Sequence, residues 1–351
     1  MNLLFLVSSL NFGGAERQTV LDANLLSTRH NVCLGFYGDG GLSQLVDNNV
    51  KLIKIKKTGY FTTTLRVLEI IRNNNIQLIH ASLFSSMVLA SMASIVSGVK
   101  VIWHFHSHEF DIPLHSRIAF RLLAKLPNVR KILFVNHELM EYYSPYNFPS
   151  LKTGVLYNHS ELTPSLTKIK DANNQIVNIG YIGRVVGLKR VDYLVEFASM
   201  LFKQKIYGFK LHIVGDGEEL NGLKELTANQ CLEGFIEFYG FQTNVAAFYN
   251  RFDFFVNPSS EECLSIAMID AGIMGLPIVS FDVGGNNEIV IDKKSGFITT
   301  SKNDFFDACL TLTQNENLRI EMGLKAVEHC SMLFNKEKHL NEILDIYEEI
   351  K

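Results

Sequence analysis

The stretch PSSEECLSIAMIDAGIMGLPIVSFDVGGNNEIV, residues 258–290, reads as the end of a strand, a loop, a helix, a second strand and a glycine-rich loop. Strand, helix and strand in so short a span form the unit from which parallel sheets are built. Glu262 falls in the loop and Asp270 eight residues later on the helix, so the helix can offer both its N-terminal amides and a carboxylate to one ligand. Unpaired N–H groups and the helix dipole attract anions such as phosphate. Ionised carboxylates only accept hydrogen bonds and suit the hydroxyls of a sugar or ribose.

The same alternation runs outward in both directions. Toward the N-terminus, short apolar runs predict strands at 3–7, 32–36, 50–53, 76–80, 101–105, 132–135 and 154–156, each followed by a segment of helical period. A second series predicts strands at 177–182, 210–214, 235–239, 254–256, 277–280 and 297–298. Between them the polar stretch 158–175 lacks periodicity and reads as a linker. The expectation is an α/β protein with one Rossmann-like domain over 1–160 and a second over 161–330. Residues 331–351 then form an amphipathic helix, with Leu340, Ile343, Leu344, Ile346 and Tyr347 on a helical period, that can cross back to the first domain. Ligands of open α/β sheets bind outside the carboxyl ends of the strands, so two such sheets facing each other would hold a ligand in the cleft between them.

Composition agrees with this division. A chain of 351 residues exceeds what one core supports, and 47% hydrophobic residues with only 7 prolines supply two. A net charge of -3 and the lack of any nucleic-acid-binding motif argue against nucleic acid as a partner. Cys33, Cys231, Cys263, Cys309 and Cys330 show no zinc-ligand spacing and read as reduced, mostly buried thiols; no metal and no cofactor is expected. The opening MNLLFLVSSL lacks a basic flank and reads as a buried strand, and no apolar run reaches the length of a membrane span. The expected location is the cytoplasm.

Residues 258–290 resemble the nucleotide-sugar signature of family 4 retaining glycosyltransferases of the GT-B fold, P-S-x-x-E-G-F-G-L-x-x-L-E-A-M-A-x-G-x-P. The matches are Pro258, Ser259, Glu262, Ala271, Gly275 and Pro277, with Asp270 in place of the second glutamate, Cys263, Leu264 and Ser265 in place of Gly-Phe-Gly, and Gly272 where the family has methionine. The resemblance implies that Glu262 contacts donor-sugar hydroxyls, that Asp270 contacts ribose hydroxyls, and that Leu264, Ser265 and Ile266 border the donor. The segment GYIGRVVGLKRVDYLVEF is similar to the family's G-R-x-x-x-x-K-G, which places Arg184 and Lys189 on the donor pyrophosphate. Two fixed cations would stabilise a departing nucleoside diphosphate without a metal, and no Asp-x-Asp metal site occurs in the chain.

Other segments fall in the family's order. FGGAERQ resembles the glycine-rich loop near the donor phosphate and acceptor, giving Gly13 and Gly14. LHIVGDGEEL and FYGF resemble the wall around the nucleotide base, giving Gly215, Gly217, Gly240 and Phe241, while DVGGNNEIV, with Gly284, Gly285 and Glu288, resembles the donor-side loop. VIWHFHSHEF is similar to V-x-x-T-x-H and places the active-site histidine at His106, with His104 and His108 near enough to confuse the register. Plain strand-to-helix turns and solvated charges would explain several of these features singly, though not their joint order.

The function implied is metal-independent hexosyl transfer, with retention, from a UDP- or GDP-linked sugar to a glycan or lipid-linked acceptor in surface polysaccharide or glycolipid synthesis. Alternatives are a non-catalytic nucleotide-sugar-binding protein and a nucleotide-sugar epimerase on the same fold. A nicotinamide or flavin oxidoreductase fits less well, because Gly13-Gly14 lacks the Gly-x-Gly-x-x-Gly spacing. Residues 113–131 combine Arg117, Arg121, Lys125, Arg130 and Lys131 with Ile118, Phe120, Leu122 and Leu123. Two readings stay open for them: a surface helix packed on its own sheet, or a basic amphipathic helix lying on the inner face of the cytoplasmic membrane.

Overall fold

A computed structural model describes residues 1–108, 114–164 and 176–350, with backbone alone for 114–116. The chain divides into two compact units, Met1–His159 with Lys336–Lys351, and Ser160–Asn335. In the first unit the strands are β1 (Asn2–Val7), β2 (Asn31–Phe36), β3 (Val50–Lys54), β4 (Leu78–Ser82), β5 (Lys100–Phe105), β6 (Val129–Phe134) and β7 (Thr153–Val155). All pair in parallel, in the order β3-β2-β1-β4-β5-β6-β7. The helices α1 (Gly14–Ser27), α2 (Tyr60–Asn73), α3 (Phe84–Ser97), α4 (Leu114–Ala124) and α5 (His137–Tyr142) supply the crossovers. Central strands covered on both faces need continuous apolar runs, as in LLFLV of β1, all buried. The edge strand β3 shows the opposite, with Lys51 and Lys54 exposed, which discourages pairing with another chain.

The apolar run near residues 87–99 is the body of α3. Ser86, Ser91 and Ser94 are buried, and each bonds within the helix or to a neighbour: Ser91 Oγ donates to the Met87 carbonyl at 2.8 Å and accepts from Trp103 Nε1 at 3.0 Å. Trp103 in turn stacks on Phe120 of α4 at 4.3 Å between ring centroids. Among the described residues no helix is long and apolar enough to cross a membrane.

In the second unit the strands are β8 (Val177–Ile182), β9 (Phe209–Val214), β10 (Ile236–Gly240), β11 (Phe254–Asn257), β12 (Ile278–Phe281) and β13 (Gly296–Thr299). They are parallel throughout, in the order β10-β9-β8-β11-β12-β13. The helices are α6 (Asp192–Lys203), α7 (Leu220–Asn229), α8 (Ala246–Tyr249), α9 (Ile266–Ile273), α10 (Asn286–Ile289), α11 (Lys302–Gln314) and α12 (Glu316–Leu333). Gly272 of α9 has a packing reason: a Cβ there would lie 2.3 Å from Cys330 Sγ of α12. Docking of α12 on α9 carries the second unit to Asn335, five residues past the boundary expected at 330. The terminal helix α13 (Lys336–Glu349) therefore starts at Lys336 and not at 331. It belongs to the first unit, where Leu340, Ile343 and Tyr347 join a core with Phe5, Val7 and Leu26. Most of the polar stretch expected as a linker, 165–175, lies outside the described residues, as do 109–113 ahead of α4.

Candidate donor site

In each sheet the strand order reverses once, between β1 and β4 in the first and between β8 and β11 in the second. Adjacent crossovers leave in opposite directions at such a point and open a crevice at the carboxyl ends of the strands. In the second unit this geometry brings together segments distant in sequence: the loop after β8, with Arg184 and Lys189, and the loop after β11, with Ser259 and Glu262. Lys189 Nζ donates to Glu262 Oε1 at 2.6 Å. Ser259 Oγ donates to the same oxygen at 3.1 Å and Asn257 Nδ2 at 3.3 Å. Oε1 is thus filled by three donors, while Oε2 has no hydrogen-bond partner among the described residues. The carboxylate is held rigidly by one oxygen and offers the other.

Arg184 is exposed, and its guanidinium makes no ion pair among the described residues. Its carbonyl accepts from the buried Tyr181 hydroxyl at 2.7 Å, which fixes the backbone at the turn. Burial, reinforced by the Glu262 charge, raises the Tyr181 phenol well above its ordinary value, so it remains a neutral donor. Leu264 and Ile266 are buried, and Ser265 occupies the N-cap of α9 in an extended conformation, leaving the first amides of the helix without a side-chain cap.

Glycines shape the surroundings. Gly284 holds φ +52°, and a Cβ on it would lie 1.9 Å from the Glu262 carbonyl oxygen. The next amide, Gly285 N–H, donates to the Cys263 carbonyl at 2.7 Å, so the VGG turn is docked on the backbone of the Glu262 loop. Gly215 holds φ +142° with a Cβ position 1.8 Å from the Gly183 carbonyl, and its N–H donates to the carbonyl of Gly240 at 2.9 Å. Phe241 follows, 46% exposed.

Asp270 is buried on α9, where Oδ1 accepts from Ser160 Oγ at 2.5 Å. Asp, one methylene shorter than Glu, keeps its carboxylate close to the helix and within reach of Ser160.

In the first unit Gly13 caps α1 and Gly14 opens it; a Cβ on Gly14 would meet nothing within 4 Å. The three histidines of the HFHSH run separate clearly. His104 is buried with Nδ1 at 3.2 Å from His80 Nε2, and His80 Nδ1 is 2.8 Å from the Tyr347 hydroxyl. His108 faces Glu138 at 3.2 Å. His106 is buried against the His104 ring with neither nitrogen hydrogen-bonded among the described residues. Burial holds its pKa down to about 4, so the ring is a neutral imidazole at neutral pH. Asn257, Tyr181 and Ser160 were not singled out in the sequence; only their folded contacts reveal them.

The sequence matches "Glycosyltransferase Family 4" over residues 12–160 and "Glycosyl transferases group 1" over residues 177–315, one match in each unit. The chain belongs to the family 4 glycosyltransferases. This glycosyltransferase is 30% identical to the poly(ribitol-phosphate) alpha-N-acetylglucosaminyltransferase of Staphylococcus aureus over 172 residues, which are 48% of the chain but only 35% of that relative. It is 22% identical to the UDP-Gal:alpha-D-GlcNAc-diphosphoundecaprenol alpha-1,3-galactosyltransferase of Escherichia coli, over 85% of the chain and 81% of that protein. Anabaena HepE, solved in complex with UDP-glucose, superposes with a TM-score of 0.85 over 99% of this chain and 100% of its own, at 18% identity. The glycosyltransferase fold is GT-B.

Proposed function

We propose that this glycosyltransferase moves a hexosyl group from a UDP- or GDP-linked sugar, with retention of configuration and without a metal at the reacting phosphate, to a glycan or lipid-linked acceptor in surface polysaccharide or glycolipid synthesis. The observation that carries the reading is the Glu262 carboxylate, whose one oxygen is anchored by Lys189, Ser259 and Asn257 and whose other is open, at the start of α9. Oε2 accepts from a donor-sugar hydroxyl. Arg184, Lys189 and the first amides of α9 take the diphosphate, whose negative charge grows as the glycosidic bond breaks. Donors placed in advance for that charge lower the barrier, because they need no reorganisation. Attack from the face that the diphosphate leaves needs no protein nucleophile, and the leaving phosphate takes the acceptor proton. On the first unit, neutral His106 offers an N–H and a lone pair to a substrate hydroxyl. The UDP complex of HepE and the UDP-Gal specificity in the Escherichia coli relative's name support UDP as the nucleotide.

Thermal shift of the purified chain against UDP, GDP, ADP and their sugar conjugates tests the donor. A rise with one nucleotide series is expected; no rise with any of them at millimolar ligand would overturn the reading. Stabilisation without transfer would point to a nucleotide-sugar-binding protein, and conversion of the donor without any acceptor to an epimerase.

Contact with an anionic membrane is proposed for α4. It buries Phe120 and Ala124 on its own unit and leaves Ile118 and Leu122 exposed at 50% and 61%, with Arg117 and Lys125 also on the surface. Arg121 Nε donates to the Tyr146 carbonyl at 2.8 Å, and Lys131 pairs with Glu349 at 2.6 Å. The double variant Ile118→Ser, Leu122→Ser should lose sedimentation with phosphatidylglycerol vesicles; unchanged sedimentation would end the membrane reading.

A further inference from the structure

A second constellation lies wholly within the first unit. Gln18 and Asp22 stand one turn apart on α1, His159 follows β7, and His339 is in the first turn of α13. All four side chains are at least 97% buried. Their polar atoms converge: Asp22 Oδ1 is 2.9 Å from His339 Nε2, 3.5 Å from His159 Nδ1 and 2.7 Å from Gln18 Nε2. Gln18 Nε2 is also 2.8 Å from His159 Nδ1. Among the described residues, Asp22, His159 and His339 alone bring three such ligand atoms within 4.8 Å of one another.

Two further contacts point the same way. The far nitrogen of His339, Nδ1, lies 2.8 Å from the Tyr157 carbonyl. A proton held there leaves Nε2 of a neutral ring with its lone pair toward Asp22 and His159, the arrangement that orients a metal-ligating imidazole. The Gln18 side-chain oxygen is fully buried and has no hydrogen-bond partner among the described residues. A half-turn of that amide places the oxygen where the nitrogen now sits, beside Asp22 and His159.

We propose that Asp22, His159 and His339, with Gln18 as the fourth ligand, bind one divalent transition-metal ion of zinc's class that ties α13 to α1 and to the end of β7. Two imidazoles, a carboxylate and an amide oxygen suit zinc or cobalt, and are too few and too rich in nitrogen for calcium. Four protein ligands close the coordination sphere, so the ion is structural and takes no part in sugar transfer. Binding energy at such a site is folding energy, so the ion holds the last helix on its unit.

The test uses the full chain, treated with a chelator and titrated with Co²⁺. One equivalent should produce the visible absorption of a four-coordinate nitrogen and oxygen site, Zn²⁺ should bleach it, and Zn²⁺ should raise the melting temperature of the chelated protein by several degrees. Asp22→Asn keeps the side-chain shape and should abolish the stoichiometric absorption. A folded, wild-type chain that shows no such band and no melting shift with Zn²⁺ overturns the proposal and leaves the cluster as an imidazolium–carboxylate pair. Uptake of Co²⁺ by Asp22→Asn with an unchanged spectrum would overturn it as well. Should that variant fail to fold, the wild-type titration still decides.

Discussion

Glu262 accepts three hydrogen bonds on one oxygen, and that asymmetry sets what its replacements do. Glu262→Gln preserves the outline of the side chain but removes the charge opposite Lys189 and turns one acceptor into a donor. Steady-state transfer should fall about 100-fold or more in kcat/KM, with a circular-dichroism spectrum like that of the parent. Wild-type turnover would remove Glu262 from the site. Gly284 and Gly14 make a contrasting pair. Gly284→Ala drives a Cβ into the Glu262 carbonyl at a left-handed φ and should cost about 1–3 kcal/mol in urea unfolding, with loss of the nucleotide-induced thermal shift. Gly14→Ala meets open space, so its stability should stay within about 0.5 kcal/mol of the parent; a fall in activity there would report a substrate passing close by. Glu262, Arg184 and Lys189 could be singled out from the sequence because each falls in a short segment of fixed spacing, and the structure joins Lys189 to Glu262. Ser160 could not be singled out, because its partner Asp270 lies on a distant helix and becomes a neighbour only after folding, and Asn257, though close to Glu262 in sequence, carries no mark that its amide turns toward that carboxylate. Asp270 was singled out by its spacing from Glu262, whereas its hydrogen bond from Ser160 could not be read from the sequence.

At the scale of elements, each apolar run read as a strand is a strand in the structure, from LLFLV in β1 to the short FI run in β13, with ends moved by a few residues. Buried parallel strands announce themselves through β-branched and leucine-rich runs bounded by turns. Helix partners leave no such mark. Gly272 looks like a weak point in α9 until α12 is seen packed against it, and the end of α12 could not be placed without that contact. Likewise the serines of α3 look like dilution of an apolar segment, whereas Ser91 satisfies the indole N–H of Trp103. Ser91→Ala leaves that donor buried and unpaired, and should destabilise the chain by about 1–3 kcal/mol in urea unfolding; an unchanged midpoint would mean the indole finds another acceptor.

For the whole molecule, buried neutral histidines decide the response to acid. Burial lowers the pKa of His80 to about 3, of His106 to about 4 and of His212, on the second unit, to about 4. In the unfolded chain each would titrate near 6.5. A depressed folded-state pKa means that the unfolded state binds more protons below pH 6.5, so the stability these groups contribute is complete at neutral pH and drains away as pH falls toward 4. Urea midpoints should therefore fall between pH 7 and pH 5 by the equivalent of roughly 1–2 kcal/mol per histidine. A flat profile over that range would show that these rings are charged in the fold.

The return of α13 to the first unit also orders events during synthesis. A ribosome releases the strands β1 to β7 first, but Leu340, Ile343 and Tyr347, which complete the core under them, arrive only after every strand and helix of Ser160–Asn335. At ordinary elongation rates the first unit waits roughly 10 to 40 seconds with that face uncovered. The second unit, continuous in sequence, can close in the meantime, so the half of the enzyme made first is the half finished last, and premature termination anywhere before Lys336 yields a chain whose N-terminal core lacks its final layer.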